Sequence, residues 1–170
     1  VAPERVAAVR RAWGVEGDFV ALLPARLTRW KGQLVLIEAA RRLQAKRPFK
    51  LIVWGDPQGR EGYVRELEAA VAAAGLKEVL VIPNHIADMP AALLAADVVV
   101  LPNTEPEAFG RVAVEAAAMG RIVIASALGG YAETVQDGLT GYLVPPADPA
   151  ALAGAISKVM ALPEGDRAAM

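Results

Sequence analysis

Val98-Val99-Val100-Leu101-Pro102-Asn103-Thr104-Glu105-Pro106-Glu107-Ala108-Phe109-Gly110-Arg111-Val112-Ala113-Val114-Glu115-Ala116-Ala117-Ala118-Met119-Gly120-Arg121-Ile122-Val123-Ile124-Ala125 contains a complete strand–loop–helix–strand unit. Residues 98–101 are apolar without alternation, the pattern of a strand covered on both faces. A polar loop follows. The spacing then predicts a helix over 111–119, stopped by Gly120 where a C-terminal glycine belongs, and a second covered strand at 122–125. A helix between two such strands implies that they run parallel, joined by a right-handed crossover.

The same unit repeats outward. Further apolar runs lie at 19–23, 51–54 and 79–82, with a weaker one at 142–144. Helical periodicity fills 33–46, 63–74, 89–95, 132–135 and 149–161; in the first of these Leu34, Ile37 and Leu43 recur at helical intervals. The expected fold is α/β: a Rossmann-like, doubly wound, mainly parallel sheet of about six strands with helices on both faces. The 170 residues suit one domain spanning 1–170.

Composition narrows the function. At 55% hydrophobic and 22% charged residues the chain can bury a sizeable core. Eighteen basic and nineteen acidic residues leave a net charge of -1, with no surplus to neutralise a nucleic-acid backbone. There is no cysteine and one histidine, His85, so thiolate metal sites, disulfides and a histidine-rich zinc site are excluded within the chain. No apolar run approaches the ~20 residues of a membrane-spanning helix. The chain opens at Val1 without an initiating Met, which is expected of a fragment.

In doubly wound sheets, ligands bind beyond the carboxyl ends of the strands. Those ends carry Ala25-Arg26, Gly55-Asp56, Asn84-His85 and Asn103-Thr104-Glu105. The loop before the 111–119 helix leads into free backbone amides at the positive end of a helix dipole, a ready diphosphate site. Gly110 would let a ligand approach closely. Glu107 lies just before that helix and Glu115 inside it, so one carboxylate could meet a sugar and the other a ribose. Either glutamate could instead serve the dipole or the solvent, although Glu115 lies among apolar neighbours, where a buried carboxylate needs partners.

In Arg26-Leu27-Thr28-Arg29-Trp30-Lys31-Gly32, Arg26 and Lys31 could reach one anion, or the segment could be an ordinary basic surface loop. Arg29 is expected to face solvent and Trp30 to pack. Gly129 and Gly130, before a helix, could free amides for a ligand or simply make a tight turn. Gly55 could make a turn or touch a ligand, and His85 suits a capping or loop role.

Taken together and in register, these segments resemble the C-terminal domain of the family 4, or group 1, retaining glycosyltransferases, over about residues 19–156. Glu107 and Glu115 match the family's E-x7-E pattern with Phe109-Gly110 inside it. Ala25-Arg26 with Lys31-Gly32 match its Gly-Arg…Lys-Gly segment, and Gly129-Gly130-Tyr131-Ala132-Glu133 its Gly-Gly-x-x-Glu. The run 137–146 and the helix expected at 5–14 are also similar. Ala25 and Asn103 depart from the usual glycine and serine.

The resemblance implies one half of a GT-B fold whose acceptor-binding N-terminal domain lies outside this chain. It implies that Arg26 and Lys31 bind a diphosphate and that Glu107 contacts the donor sugar. Phe109, Gly110 and Arg111 would offer amides, Glu115 would hold the ribose, and His85 and Ile86 would border the base. It implies transfer of a hexose from a UDP- or GDP-linked sugar to a glycan or lipid acceptor, with retention and without a metal or other cofactor. The parent enzyme is expected in the cytoplasm, with peripheral contact at the inner membrane if its acceptor is a lipid. The isolated chain is expected to bind a nucleotide weakly and to transfer little or no sugar. A nucleotide-sugar epimerase of the same fold and a non-catalytic nucleotide- or sugar-binding module are the alternatives. The glycine-rich and P-loop signatures of dinucleotide and ATP enzymes are absent.

Overall fold

The computed structural model describes residues 1–43, 47–83, 87–163, 165 and 167. In chain order the elements are α1 (Pro3–Trp13), β1 (Phe19–Pro24), α2 (Gln33–Ala40), β2 (Phe49–Trp54), α3 (Glu61–Ala73), β3 (Leu80–Val81) and α4 (Met89–Ala95). They continue as β4 (Val98–Leu101), α5 (Arg111–Ala118), β5 (Ile122–Ser126), α6 (Gly130–Thr134), β6 (Gly141–Val144) and α7 (Pro149–Ala161). A short 3-10 turn, Arg29–Lys31, precedes α2.

The six strands form one sheet in the order β3-β2-β1-β4-β5-β6, and every pairing is parallel. The order reverses between β1 and β4. A crevice opens at that point because the connections leaving the two strands depart to opposite sides. Strands β1, β4 and β5 are buried along their whole length, which is why their sequences do not alternate.

Each face of the sheet carries its own core. Phe19, Ala21 and Leu23 of β1 point to the side packed by α2, α3 and α7, with Leu36, Leu67 and Ile156. Val20 and Leu22 point to the other side, packed by α1, α4, α5 and α6, with Trp13, Leu93, Ala116 and Tyr131. Arg10 ties α1 to the second face by donating to the carbonyls of Ala95 (2.6 Å), Val15 (2.9 Å) and Asp18 (2.6 Å). Asp88 and Asp148 cap α4 and α7, accepting from the first-turn amides of Ala91 and of Ala150 and Ala151.

Several boundaries differ from expectation: β2 and α3 each start two residues early, at Phe49 and Glu61, and other elements shift by a residue. α2 ends at Ala40 and the chain turns at Arg41 and Arg42, which let Leu43 pack against the first core; residues 44–46 of the expected helix lie outside the described residues. β3 shortens from four residues to two because it is an edge strand, held only by Leu51 and Ile52 of β2. α6 starts two residues early, at Gly130.

Candidate functional site

A cleft of about 560 Å³ lies over the β1/β4 switch point, within the ~300–1,000 Å³ range of small-ligand sites. Arg26, Lys31, Gly55, Glu107, Phe109, Gly110 and Arg111 all line it. They come from the ends of β1 and β2, the turn before α2, and the loop entering α5. The sheet thus brings together residues far apart in the chain.

The β1 loop is held from below. Gln33, fully buried, donates through Nε2 to the Arg26 carbonyl (2.9 Å) and accepts from the Tyr63 hydroxyl at Oε1 (3.1 Å). Ala25 N–H donates to the Trp54 carbonyl (3.0 Å) and Leu27 N–H to the Asp56 carbonyl (3.3 Å). This joins the two loops so closely that a Cβ on Gly55 would lie 1.9 Å from the Ala25 carbonyl oxygen. Gly55 lines the cleft, and its missing side chain is required by the neighbouring backbone.

The side chains of this loop diverge. Arg29 faces outward, forming a two-pronged pair with Glu66 (2.6 and 2.5 Å) across the Tyr63 ring. Arg26 is exposed in the cleft, and no acid among the described residues pairs with it. The Lys31 ammonium lies 4.1 Å from the centre of the Trp30 ring and pairs with the Glu107 carboxylate. Their side chains are 12% and 23% exposed, so this pair is shielded in a way that surface pairs are not. Burial alone would raise the Glu107 pKa. The hydrogen bond and charge of Lys31, with help from Asn103 and the Ala108 amide, outweigh that and hold it below its usual value.

The α5 entry loop is clamped between α6 and the β1 loop. Gly130 N–H donates to the Glu107 carbonyl (2.8 Å), and Thr104 N–H donates to the Trp30 carbonyl (2.9 Å). A Cβ on Gly129 would lie 2.3 Å from the Glu107 carbonyl oxygen, and one on Gly130 2.5 Å from the Phe109 carbonyl carbon. These two glycines therefore do not line the cleft; they admit the loop that does. Gly110 has φ +79° and lies against the Tyr131 ring, 2.6 Å from where a Cβ would fall. Helix α5 starts at the next residue. The Ala113 amide donates to the Gly110 carbonyl (2.9 Å), and it is Gly110, Arg111 and Val112, at the positive end of the helix, that line the cleft.

Glu115 corrects one expectation. Its side chain is exposed, not buried among apolar neighbours, because the buried positions of α5 are Ala113 and Ala116. It follows Arg111 by four residues and shares its helix face, a little over one turn from the helix start. It does not line the cleft of the free chain. His85 and Ile86 lie outside the described residues.

Tyr131, Trp54, Met89 and Asp56 also line the cleft. Sequence reasoning gave Tyr131 no role. The available signal was an aromatic residue directly after two glycines, where a large ring has room only by sliding under the facing loop. Tyr131 is 1% exposed; burial and the Glu107 charge raise its pKa, partly offset by Asn103, so it stays a neutral phenol. No group of three or more histidines or acids suited to a metal occurs among the described residues.

Residues 7–170 match the family model described as Glycosyl transferases group 1. The D-inositol 3-phosphate glycosyltransferase of Geodermatophilus obscurus is 38% identical over 166 residues, covering 93% of this chain and 37% of that protein. The lipopolysaccharide 1,2-N-acetylglucosaminetransferase of Salmonella typhimurium is 36% identical, covering 79% and 37% respectively. Anabaena Alr3699/HepE, solved in complex with UDP, has a TM-score of 0.89 at 33% identity, covering 99% of this chain and 46% of that one. The same protein has also been solved with UDP-glucose. A C-terminal domain of a glycosyl transferase group 1 family protein (LpcC) from Francisella tularensis has a TM-score of 0.78 at 28% identity, covering 94% and 85%. The chain spans about a third of the length of the curated relatives it matches.

Proposed function

The chain belongs to the group 1 glycosyl transferases, and from that membership we propose that it is the nucleotide-sugar-binding half of a hexosyltransferase, with UDP as the nucleotide. The observation that carries this reading is the convergence of Arg26, Lys31 and the first-turn amides of α5 on one cleft. UDP is favoured over GDP because Alr3699/HepE, similar over 99% of the chain, was solved with UDP and UDP-glucose.

In the proposed reaction the bond between the anomeric carbon and the β-phosphate oxygen breaks, an acceptor hydroxyl oxygen bonds that carbon with retention, and its proton leaves to the departing phosphate oxygen. Negative charge then gathers on the departing diphosphate. Arg26 meets it with a planar fork and Lys31 with a point charge, while the α5 amides add fixed dipoles. These groups supply the stabilisation without a metal or other cofactor. Glu107 accepts hydrogen bonds from sugar hydroxyls. Glu115, one helical turn past Arg111, reaches the ribose that extends along α5.

A second domain completes the cleft and binds the acceptor. The names of the relatives, a D-inositol 3-phosphate and a lipopolysaccharide transferase, are consistent with a glycan or lipid acceptor. No helix among the described residues is long and apolar enough to cross a membrane; a lipid acceptor would be met by peripheral contact of the parent enzyme, in the cytoplasm at the inner membrane.

A thermal-shift panel of UDP, GDP, ADP and their sugars on the isolated chain tests this reading. UDP and its sugars should raise the melting temperature in a concentration-dependent way. No response from any of them at millimolar levels would reject donor binding by this domain. Rapid sugar transfer by the isolated chain would reject the need for a second domain.

A further inference from the structure

Tyr63, on α3, does not line the cleft, yet it is tied to the loop that does. The Arg29 guanidinium lies over its ring, 5.2 Å from the centre, and its hydroxyl is turned inward to Gln33 (3.1 Å). Gln33, the first residue of α2, is fully buried and also stands outside the cleft. Its amide serves two neighbours in one orientation. The Arg26 carbonyl can only accept, so Nε2 faces it (2.9 Å), and Oε1 is left to the Tyr63 hydroxyl, which donates. Turned over, the amide would set its oxygen against the Arg26 carbonyl oxygen, two acceptors with no proton between them.

This chain of bonds ends on the peptide that aims Arg26. The Arg26 carbonyl also accepts from the Thr28 N–H (2.9 Å), and the neighbouring peptides donate across to the β2 loop, Ala25 N–H to Trp54 and Leu27 N–H to Asp56. The side chain itself is exposed in the cleft and paired with no acid among the described residues. Its direction therefore comes from its backbone. A planar guanidinium fork gains its second hydrogen bond to a phosphate only when it is presented in the right plane. Without the Tyr63 hydroxyl, Gln33 Oε1 would be buried with no donor, which costs more than the bond to Arg26 gains. The amide would then no longer hold the loop.

We infer that Tyr63 and Gln33 are positioning residues for the diphosphate, holding the Arg26 peptide so that the exposed guanidinium meets the phosphates in one orientation. This rests on the donor-domain reading above and extends the phosphate site to two buried side chains that never touch the ligand.

The test uses Tyr63→Phe, which keeps the ring under Arg29, Gln33→Met, which keeps the volume, and the two combined. Each single change leaves one buried polar group without its partner and should lower the melting temperature. The combination removes both groups and should recover most of that loss. UDP affinity, measured by calorimetry on the 170-residue chain, should nevertheless fall in all three by roughly 3- to 10-fold, the worth of about one hydrogen bond. The same changes in an Arg26→Ala chain should produce no further fall. Amide exchange followed by NMR without ligand should quicken at Leu27 and Thr28 in all three. If the combined variant regains UDP affinity together with its melting temperature, the role is merely structural and the proposal is overturned. An equal loss in the Arg26→Ala chain overturns it too. A parent chain that binds no UDP overturns the donor reading, whereas unmoved exchange at Leu27 and Thr28 overturns the bracing of Arg26 whether or not UDP binds.

Discussion

Lys31 and Glu107, 76 positions apart in the chain, form an ion pair at the floor of the cleft, where neither side chain is freely solvated. The pair joins the β1 loop to the α5 entry loop across the switch point of the sheet. It holds the cation that would meet a phosphate and the acid that would meet a sugar in contact before any ligand arrives. A site assembled in advance loses less entropy on binding than one that must be gathered from mobile loops.

Removing one partner should therefore cost stability. Glu107→Ala leaves the Lys31 ammonium, 12% exposed, without its acid. The expected loss is about 1–3 kcal/mol, the range for an unsatisfied buried polar group, read from urea unfolding at pH 7. A change below about 0.5 kcal/mol, the level of an ordinary surface substitution, would mean that the pair carries no structural weight.

The pH dependence follows in sign. The folded Glu107 pKa lies below its unfolded value, so the pair's contribution is complete above the unfolded carboxyl range of ~4.3 and is lost as pH falls through the lower folded value. Denaturant titrations of the parent and Glu107→Gln between pH 7 and 3 should show the parent's advantage shrinking below about pH 4.3. An advantage that stays constant or grows toward acid would contradict the assignment.

Much of this site was legible before any coordinates. Arg26, Lys31, Glu107 and Gly110 lie at strand ends and a helix start, where local pattern and fold class together fix their place, and they do share one cleft. What could not be read was the direction of side chains within an element. Glu115 sits among valines and alanines in sequence, yet the packed positions of α5 are Ala113 and Ala116, which turns Glu115 outward. Gly129 and Gly130 could be read as freeing amides for a ligand or as a tight turn, but the backbone they admit is that of Glu107 and Phe109, 22 and 21 positions upstream. Such contacts depend on two loops meeting, which no local spacing encodes. The edge strand β3 was overestimated for a similar reason: Val79 and Ile82 are as apolar as its paired residues, but only Leu80 and Val81 stand in register opposite β2 residues, Val79 contributing just its carbonyl to the Leu51 N–H (2.8 Å).

Gly55 gives a steric test of how the two loops meet. A methyl group there would fall 1.9 Å from the Ala25 carbonyl oxygen, a backbone atom that cannot yield without shifting the Arg26 loop. Gly55→Ala should destabilise the chain by about 1–3 kcal/mol, as overpacking does, and should weaken nucleotide binding as well. Unchanged unfolding and binding would show that the loops are not so closely apposed.

Arg26 and Glu115 are both exposed, so their substitution by alanine should alter stability by no more than about 0.5 kcal/mol. Nucleotide affinity should respond differently. Losing charge-assisted hydrogen bonds to phosphate or ribose should weaken UDP binding by about 1–3 kcal/mol in either variant. Calorimetry on folded Arg26→Ala and Glu115→Ala reads this directly, and an unchanged affinity would remove that residue from the site.

If the cleft over the β1/β4 switch point holds the nucleotide, titrating the labelled chain with UDP should move amide NMR resonances there. Saturable shifts are expected to concentrate at residues 26–31, 55–56 and 107–112, with Lys31 and Glu107 responding together. No saturable shifts at millimolar UDP, or shifts centred on the opposite ends of the strands, would contradict it.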